Sequence, residues 1–172
     1  MSATREPRVV QRPAQPYLAV AREVTNGVTH AVDGAFPELF GWLRARTVDP
    51  AGPPLIRVGE IDHEGAPLTL EVGVPVAPGA RGDDHVLVSE LPAGRYATLL
   101  HVGPYRSATM RDIADARLAL VRWTTRRGLV YSRETPRGAT LACCVDHLRV
   151  GPDTERDHMR WETELAYLIL AD

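Results

Sequence analysis

Two glutamates occupy matching places in this chain. Glu71 lies in Leu68-Thr69-Leu70-Glu71-Val72-Gly73-Val74-Pro75-Val76, and Glu164 in Trp161-Glu162-Thr163-Glu164-Leu165-Ala166-Tyr167-Leu168-Ile169. Successive side chains of a strand point to opposite faces, so Glu71 faces away from Leu70 and Val72, and Glu164 away from Leu165 and Tyr167. A strand glutamate is most often simply solvated. The repeated position and the small neighbours Gly73 and Ala166, which would leave room for a ligand, favour a binding role instead. A carboxylate drawn out of water prefers positive charge. Flat rings beside it add about 0.5–2 kcal/mol each for an organic cation. Tyr105, Tyr131 and Trp161 stand at turns or strand ends, Trp42 and Trp123 lie on helices, and Tyr17 opens the first long strand; these six are the candidate rings.

The elements that must position these residues read as one design written twice. The first copy runs from Gln15–Val20 through an apolar helix with Trp42 to the Glu71 strand. The second runs from Gly94–Leu100 through a helix with Trp123 to the Glu164 strand. Internal repetition constrains architecture before any detail does. The first helix spans about residues 29–46, with Val32, Phe36, Leu39, Phe40 and Leu43 on one stripe; Pro37 predicts a kink or a late start, and Pro50–Pro54 a firm end. The second carries Met110, Ile113, Ala116, Leu120 and Trp123, with Ser107 or Thr109 as candidate caps and Gly128 closing it. Further strands are expected at 55–61, 86–88, 96–102, 140–148 and 161–170. Each half is strand–helix–strand–strand, so the fold class is α+β: two pseudo-symmetric modules of antiparallel sheet with helices on one side and a groove between them. The organisation is a flexible tail (1–8) and a single domain of two repeats, about 9–78 and 85–171, linked by the turn-rich 77–84.

Composition narrows the function. The chain has 172 residues, 44% hydrophobic and 24% charged, with a net charge of -2, ordinary for a soluble globular protein. Without a basic excess, the electrostatic case for direct nucleic-acid binding fails. No apolar run approaches the roughly 20 residues of a membrane span, and no signal peptide is visible, so a cytoplasmic location is expected. Cys143-Cys144 are neighbours facing opposite ways, read as structural. No metal-ligand spacing, phosphate loop or nucleophile elbow is present, and neither a metal nor a cofactor is expected. His101 and His147 have no companion at ligand spacing.

The order of Leu68–Val76, His101-Val102-Gly103-Pro104-Tyr105 before a helix, Trp123–Gly128, Cys144-Val145 and Trp161–Leu165 resembles the GyrI-like small-molecule-binding domain, the effector-binding domain of AraC-type and MerR-type multidrug regulators. The resemblance runs from about residue 8 to 170. It implies two modules about a pseudo-two-fold, a ligand channel between them, and recognition of lipophilic cations by rings and a buried acid, here Glu164 with Glu71 as its counterpart. In some members the acid lies on the preceding strand, which here has none before Asp146. The regulators carry a helix-turn-helix ahead of this domain, for which this sequence has no room, so a likeness to the standalone members is expected. A multidrug-binding protein for small hydrophobic or cationic aromatic compounds is the first expectation, and the implied ligand set is Glu164, Glu71, Tyr105, Trp161, Tyr131, Trp123, Trp42 and Tyr17. The second is a hydrolase opening cyclopropane rings of alkylating natural products, with Glu164, Glu71 and Tyr105 as catalytic groups. The third is a modulator with DNA gyrase as its protein partner.

Overall fold

The computed structural model describes residues 3–4, 6–105 and 111–171. Ten strands form one sheet: β1 (Ala3–Thr4), β2 (Arg8–Arg12), β3 (Gln15–Glu23), β4 (Leu55–Ile61), β5 (Pro67–Pro75), β6 (Leu87–Leu91), β7 (Gly94–Val102), β8 (Ser132–Thr135), β9 (Gly138–Val150) and β10 (Glu162–Leu168). Helices α1 (Val28–Arg46) and α2 (Arg111–Arg126) complete the architecture. All strand pairings are antiparallel, in the order β1-β7-β10-β9-β4-β5-β3-β6, with β2 also on β7 and β8 on β9. The expected α+β class holds. The two halves do not form two facing sheets; they join edge to edge through β4 and β9. Ala3–Thr4, within the stretch expected to be a loose tail, pairs with β7. The capping residues Ser107 and Thr109, and Met110, lie outside the described residues.

Hydrophobic periodicity explains which face meets the helices. Ala31, Val32, Ala35, Leu39 and Leu43 of α1 pack on Leu18, Val20, Ile56, Leu70, Val72 and Val74. Ile113, Ala116 and Leu120 of α2 pack on Val58, Ala97, Leu99, Cys144, Leu165 and Tyr167. Ile56 and Val58 share one side of β4, so both helices cover the same face. Burying a leucine such as Leu39 contributes roughly 2 kcal/mol. The first helix starts without delay and continues through Pro37. Alternate residues build a third cluster on the helix-free face: Tyr17, Ala19, Leu55, Leu91, Tyr96, Cys143, Val145 and Ala166. Cys143 and Cys144 therefore sit on opposite faces, both free. The short strand β8, not anticipated, hairpins onto β9 at Gly138, whose φ of 142° and closeness to Ile61 O (2.2 Å from a Cβ built there) suit glycine alone.

The pairing registers of the two halves match. Tyr17, Ala19 and Ala21 of β3 face Pro75, Gly73 and Glu71 of β5. Tyr96, Thr98 and Leu100 of β7 face Leu168, Ala166 and Glu164 of β10. Glu71 thus stands to Tyr17 as Glu164 stands to Tyr96. Across the central seam Leu55 pairs His147 and Arg57 pairs Val145, which places Ile56 and Asp146 at the centre of the relation. The arms cross over: β2, which precedes β3, pairs with β7, and β6, which precedes β7, pairs with β3.

Candidate functional site

On the helix-free face, the centre is filled. Tyr17 is fully buried and its ring lies over Gly73, so close that a Cβ there would meet Tyr17 Cδ2 at 2.6 Å. The room expected beside Gly73 and Ala166 is therefore taken, by Tyr17 at the first and by the packed cluster at the second. Among the described residues two cavities lie on this face, one toward each end, in place of a single groove. Glu71 and Glu164 are on the same face but on strands separated by β4 and β9, with backbones roughly 15 Å apart from strand spacing and the two-residue offset.

The cavity beside Glu164 has a volume of about 340 Å³. Its walls are apolar where Pro13, Pro53, Pro75, Leu91 and Tyr96 contribute, and charged where Arg12, Arg149, His147 and Glu164 do. Glu164 is 4% exposed. Alternation turns it from the helices and crossing of the arms brings β2 alongside. Arg12 binds its Oε1, and Arg149 its Oε2 at 2.6 Å. Arg12 also donates from Nη1 to His147 Nε2 at 3.2 Å and lies 5.7 Å from the centre of the Tyr96 ring. Burial, with Arg12 and Arg149 adding to it, lowers the pKa of His147 to about 4, so near neutral pH the imidazole is uncharged and accepts the Arg12 proton. Tyr96 itself donates to Pro92 O at 2.7 Å.

The cavity beside Glu71 is larger, about 520 Å³, and is bordered by Glu23, Arg57, Gly59, Thr69 and Ser89. Tyr17 donates its phenol to Glu71 Oε2, and Arg57 donates to Tyr17 Oη at 3.0 Å and to Glu90 O at 3.3 Å. Burial, then the Glu71 bond, pushes the Tyr17 phenol well above its ordinary range. Among the described residues Glu71 has no ion pair within 4.0 Å. Arg22, on the same rim, is paired with Glu38.

The remaining candidates lie elsewhere. Tyr105 is on the helix-covered face, donating to Asp146 Oδ2 at 2.9 Å and accepting from Arg117 Nη2 at 3.1 Å, while Arg117 also pairs with Asp146. Tyr131 tilts against Tyr167, centroids 5.0 Å apart, in the core beneath α2. Trp123 is capped by Arg127 at 4.1 Å. Trp42 donates to Asp83 Oδ2 at 2.6 Å beneath Arg46, which tethers the 77–84 linker to α1. Trp161 donates to Glu155 O at 2.8 Å and meets His158 edge-on. None of these rings lines either cavity, and Glu164, Glu71 and Tyr105 do not converge into one catalytic centre. Sequence reasoning missed Arg12, Arg149, Arg57, Tyr96 and the closeness of His147. A signal for Tyr96 existed: Pro13-Ala14 four residues before Tyr17 matches Pro92-Ala93 four residues before Tyr96.

A curled antiparallel sheet with helices on one face and charged cavities on the other is the frame of a small-molecule-binding domain. The model of the GyrI-like small molecule binding domain matches residues 5–138, and the chain belongs to that family. No curated protein matches it. Among solved structures, the C-terminal domain of EcmrR superposes with a TM-score of 0.75 at 13% identity, covering 97% of this chain and 98% of that one. EcmrR in a complex with DNA gives 0.76 at 13% identity over 97% of this chain, which spans 58% of it. SAV2435 bound to tetraphenylphosphonium gives 0.61 at 10%, over 97% and 95%, and a hydrolase from Listeria innocua 0.59 at 12%, over 96% and 92%. At these identities the likeness is one of fold. Among the described residues no helix is long and apolar enough to cross a membrane.

Proposed function

We propose that this protein, built as two repeats (about 9–78 and 85–171), is a receptor for small lipophilic aromatic compounds, bound on the helix-free face of the sheet. The observation that carries this reading is that the helix-free face holds strand-borne charge in two cavities, one beside Glu164 with an apolar wall and one beside Glu71, where the acid accepts from the Tyr17 phenol, in a family of small-molecule binders. A cationic ligand is best served at Glu71. Its carboxylate holds a phenol rather than a guanidinium, and Glu23 and Glu71 together outweigh Arg57 on that rim once Arg22 is counted with Glu38. Glu164, saturated by two arginines, could read a cation only after losing one of them. The solved structure of SAV2435 with tetraphenylphosphonium makes that ion the natural first probe.

The test is a thermal-shift series with tetraphenylphosphonium and neutral triphenylphosphine oxide. A ligand that binds only the folded chain at a hundred times its Kd adds about 2.7 kcal/mol of stability, a readily measured shift. The cation is expected to stabilise the wild type and to lose most of that effect in Glu71→Gln, with the neutral compound unchanged. Absence of any shift across such a panel sinks the receptor reading; equal losses for both compounds sink the role of Glu71.

A further inference from the structure

The cavity beside Glu164 carries the opposite charge from what a lone buried acid would give it. Two guanidinium groups, Arg12 and Arg149, converge on one carboxylate. The third ionisable neighbour, His147, accepts from Arg12, so its ring is neutral and adds no charge. The balance at this end is one net positive charge. The carboxylate has both oxygens engaged, whereas each guanidinium has five N–H donors. Among the described residues only Arg12 Nη1 and Nη2 and Arg149 Nη2 are committed here, which leaves donors free on two arginines that line the cavity. Arg149 is the more exposed of the two, its side chain 43% accessible. Planar guanidinium groups recognise carboxylate and phosphate oxygens in a paired fashion. The same cavity is lined by Leu91, Pro53, Pro75 and the Tyr96 ring, apolar surface suited to a flat hydrocarbon body. The volume falls at the small end of the ligand-pocket range.

We propose that this cavity is a site for organic anions: a small aromatic acid whose carboxylate or phosphate is held by Arg149 and Arg12 while its ring lies along Tyr96, Leu91 and the prolines. Glu164 then acts as the internal counter-ion with which the ligand's anion competes for the two arginines. The inference rests on the receptor reading above and extends it to a second charge class.

The probes are 2-naphthoate, 2-naphthyl phosphate, 2-naphthamide and 2-naphthyltrimethylammonium, titrated calorimetrically into the full chain. Both acids, or one of them, should bind at least tenfold tighter than the amide, and the ammonium compound more weakly than the acids. Preference between naphthoate and naphthyl phosphate tells which oxyanion the arginines suit. Arg149→Gln should cost the acids about tenfold and leave the amide unchanged. Glu164→Gln, which removes the competing negative charge, should tighten the acids severalfold. Acids binding no better than the amide, or an equal loss for acid and amide in Arg149→Gln, overturns the proposal. So does weaker acid binding in a folded Glu164→Gln protein. Binding of cations without acids defeats this inference and leaves the receptor reading standing; binding of no probe, tetraphenylphosphonium included, defeats both.

Discussion

Glu71 and Glu164 hold equivalent registers, yet one is met by a phenol and the other by two guanidinium groups. The difference traces to the position two residues along each strand. Gly73 has no side chain, so the Tyr17 ring settles over the backbone there and its hydroxyl reaches Glu71. Ala166, at the matching register, presents a methyl group, and Tyr96, the counterpart of Tyr17, turns its hydroxyl back to Pro92 O. Glu164 is left without a phenol, and the crossed arm β2 delivers Arg12 to it instead. Matching strands thus give matching acid positions, while the small residues beside them decide what each acid holds.

The largest effect should come from removing the more heavily paired acid. Glu164→Ala leaves Arg12 and Arg149 facing each other without their shared anion. Breaking a buried pair by deleting one partner typically costs 3–5 kcal/mol. Because both arginines are partly accessible to water, about 3 kcal/mol is expected. Glu71→Ala removes only the acceptor of Tyr17, whose oxygen keeps its bond from Arg57; about 1 kcal/mol is expected. Urea unfolding of the two variants measures both. Equal losses would mean that the two acids are structurally alike, against the contrast drawn above.

The small residues supply a sharper test. Gly73→Ala puts a methyl group 2.6 Å from Tyr17 Cδ2 and 3.0 Å from Leu18 O, and overpacking of this kind costs about 2 kcal/mol. Tyr17 should be pushed off Glu71, and since burial and that bond hold its phenol pKa above the ordinary range, the phenol should titrate at lower pH in the variant. Ultraviolet titration of the tyrosines follows this directly. Ala166→Gly removes a methyl and loosens the strand by about 1 kcal/mol, with no such change in phenol titration. If Gly73→Ala leaves stability and titration untouched, the notch does not position Tyr17.

Much of this frame is legible in the residues. Strict alternation in Leu68–Val76 shows which way Glu71 faces, and helical stripes around Leu39 and Leu120 place the sheet's covered face. Alternation gives a facing direction, however, and says nothing of what stands opposite. Arg12 reaches Glu164 only because β2 crosses to β7, a contact between residues 152 apart in the chain, and no local pattern encodes that. Gly73 was legible as a small residue, but the same smallness admits a ligand or a neighbouring ring, and Tyr17 supplied the ring. The aromatic residues misled for a related reason: Trp42 and Trp161 have an indole N–H that needs an acceptor, and each found one outside the cavities, in Asp83 and in the Glu155 carbonyl. Asp146, the acid within β9, faces α2 rather than the cavities because of its parity, and there it anchors Arg117 and Tyr105.

The mildest expected effect concerns pH and separates the two ends by their third partner. Arg57 at the Glu71 end stays charged throughout the accessible range, whereas His147, in the matching register at the Glu164 end, titrates. In the unfolded chain its imidazole takes up a proton below about pH 6.5; in the folded protein burial and the two arginines delay that to about 4. Between these values the unfolded state binds more protons, so the contribution is present above pH 6.5 and is lost as pH falls toward 4. Discounted for the solvent that reaches the ring, the loss is about 1 kcal/mol. Urea midpoints at pH 7, 5.5 and 4.5 should fall more steeply for the wild type than for His147→Gln, which keeps an acceptor for Arg12 without a titrating ring. Parallel curves would show that the imidazole is not held neutral by its arginine neighbours; a charged ring could not accept from Arg12 and would raise the balance of that cavity to two positive charges.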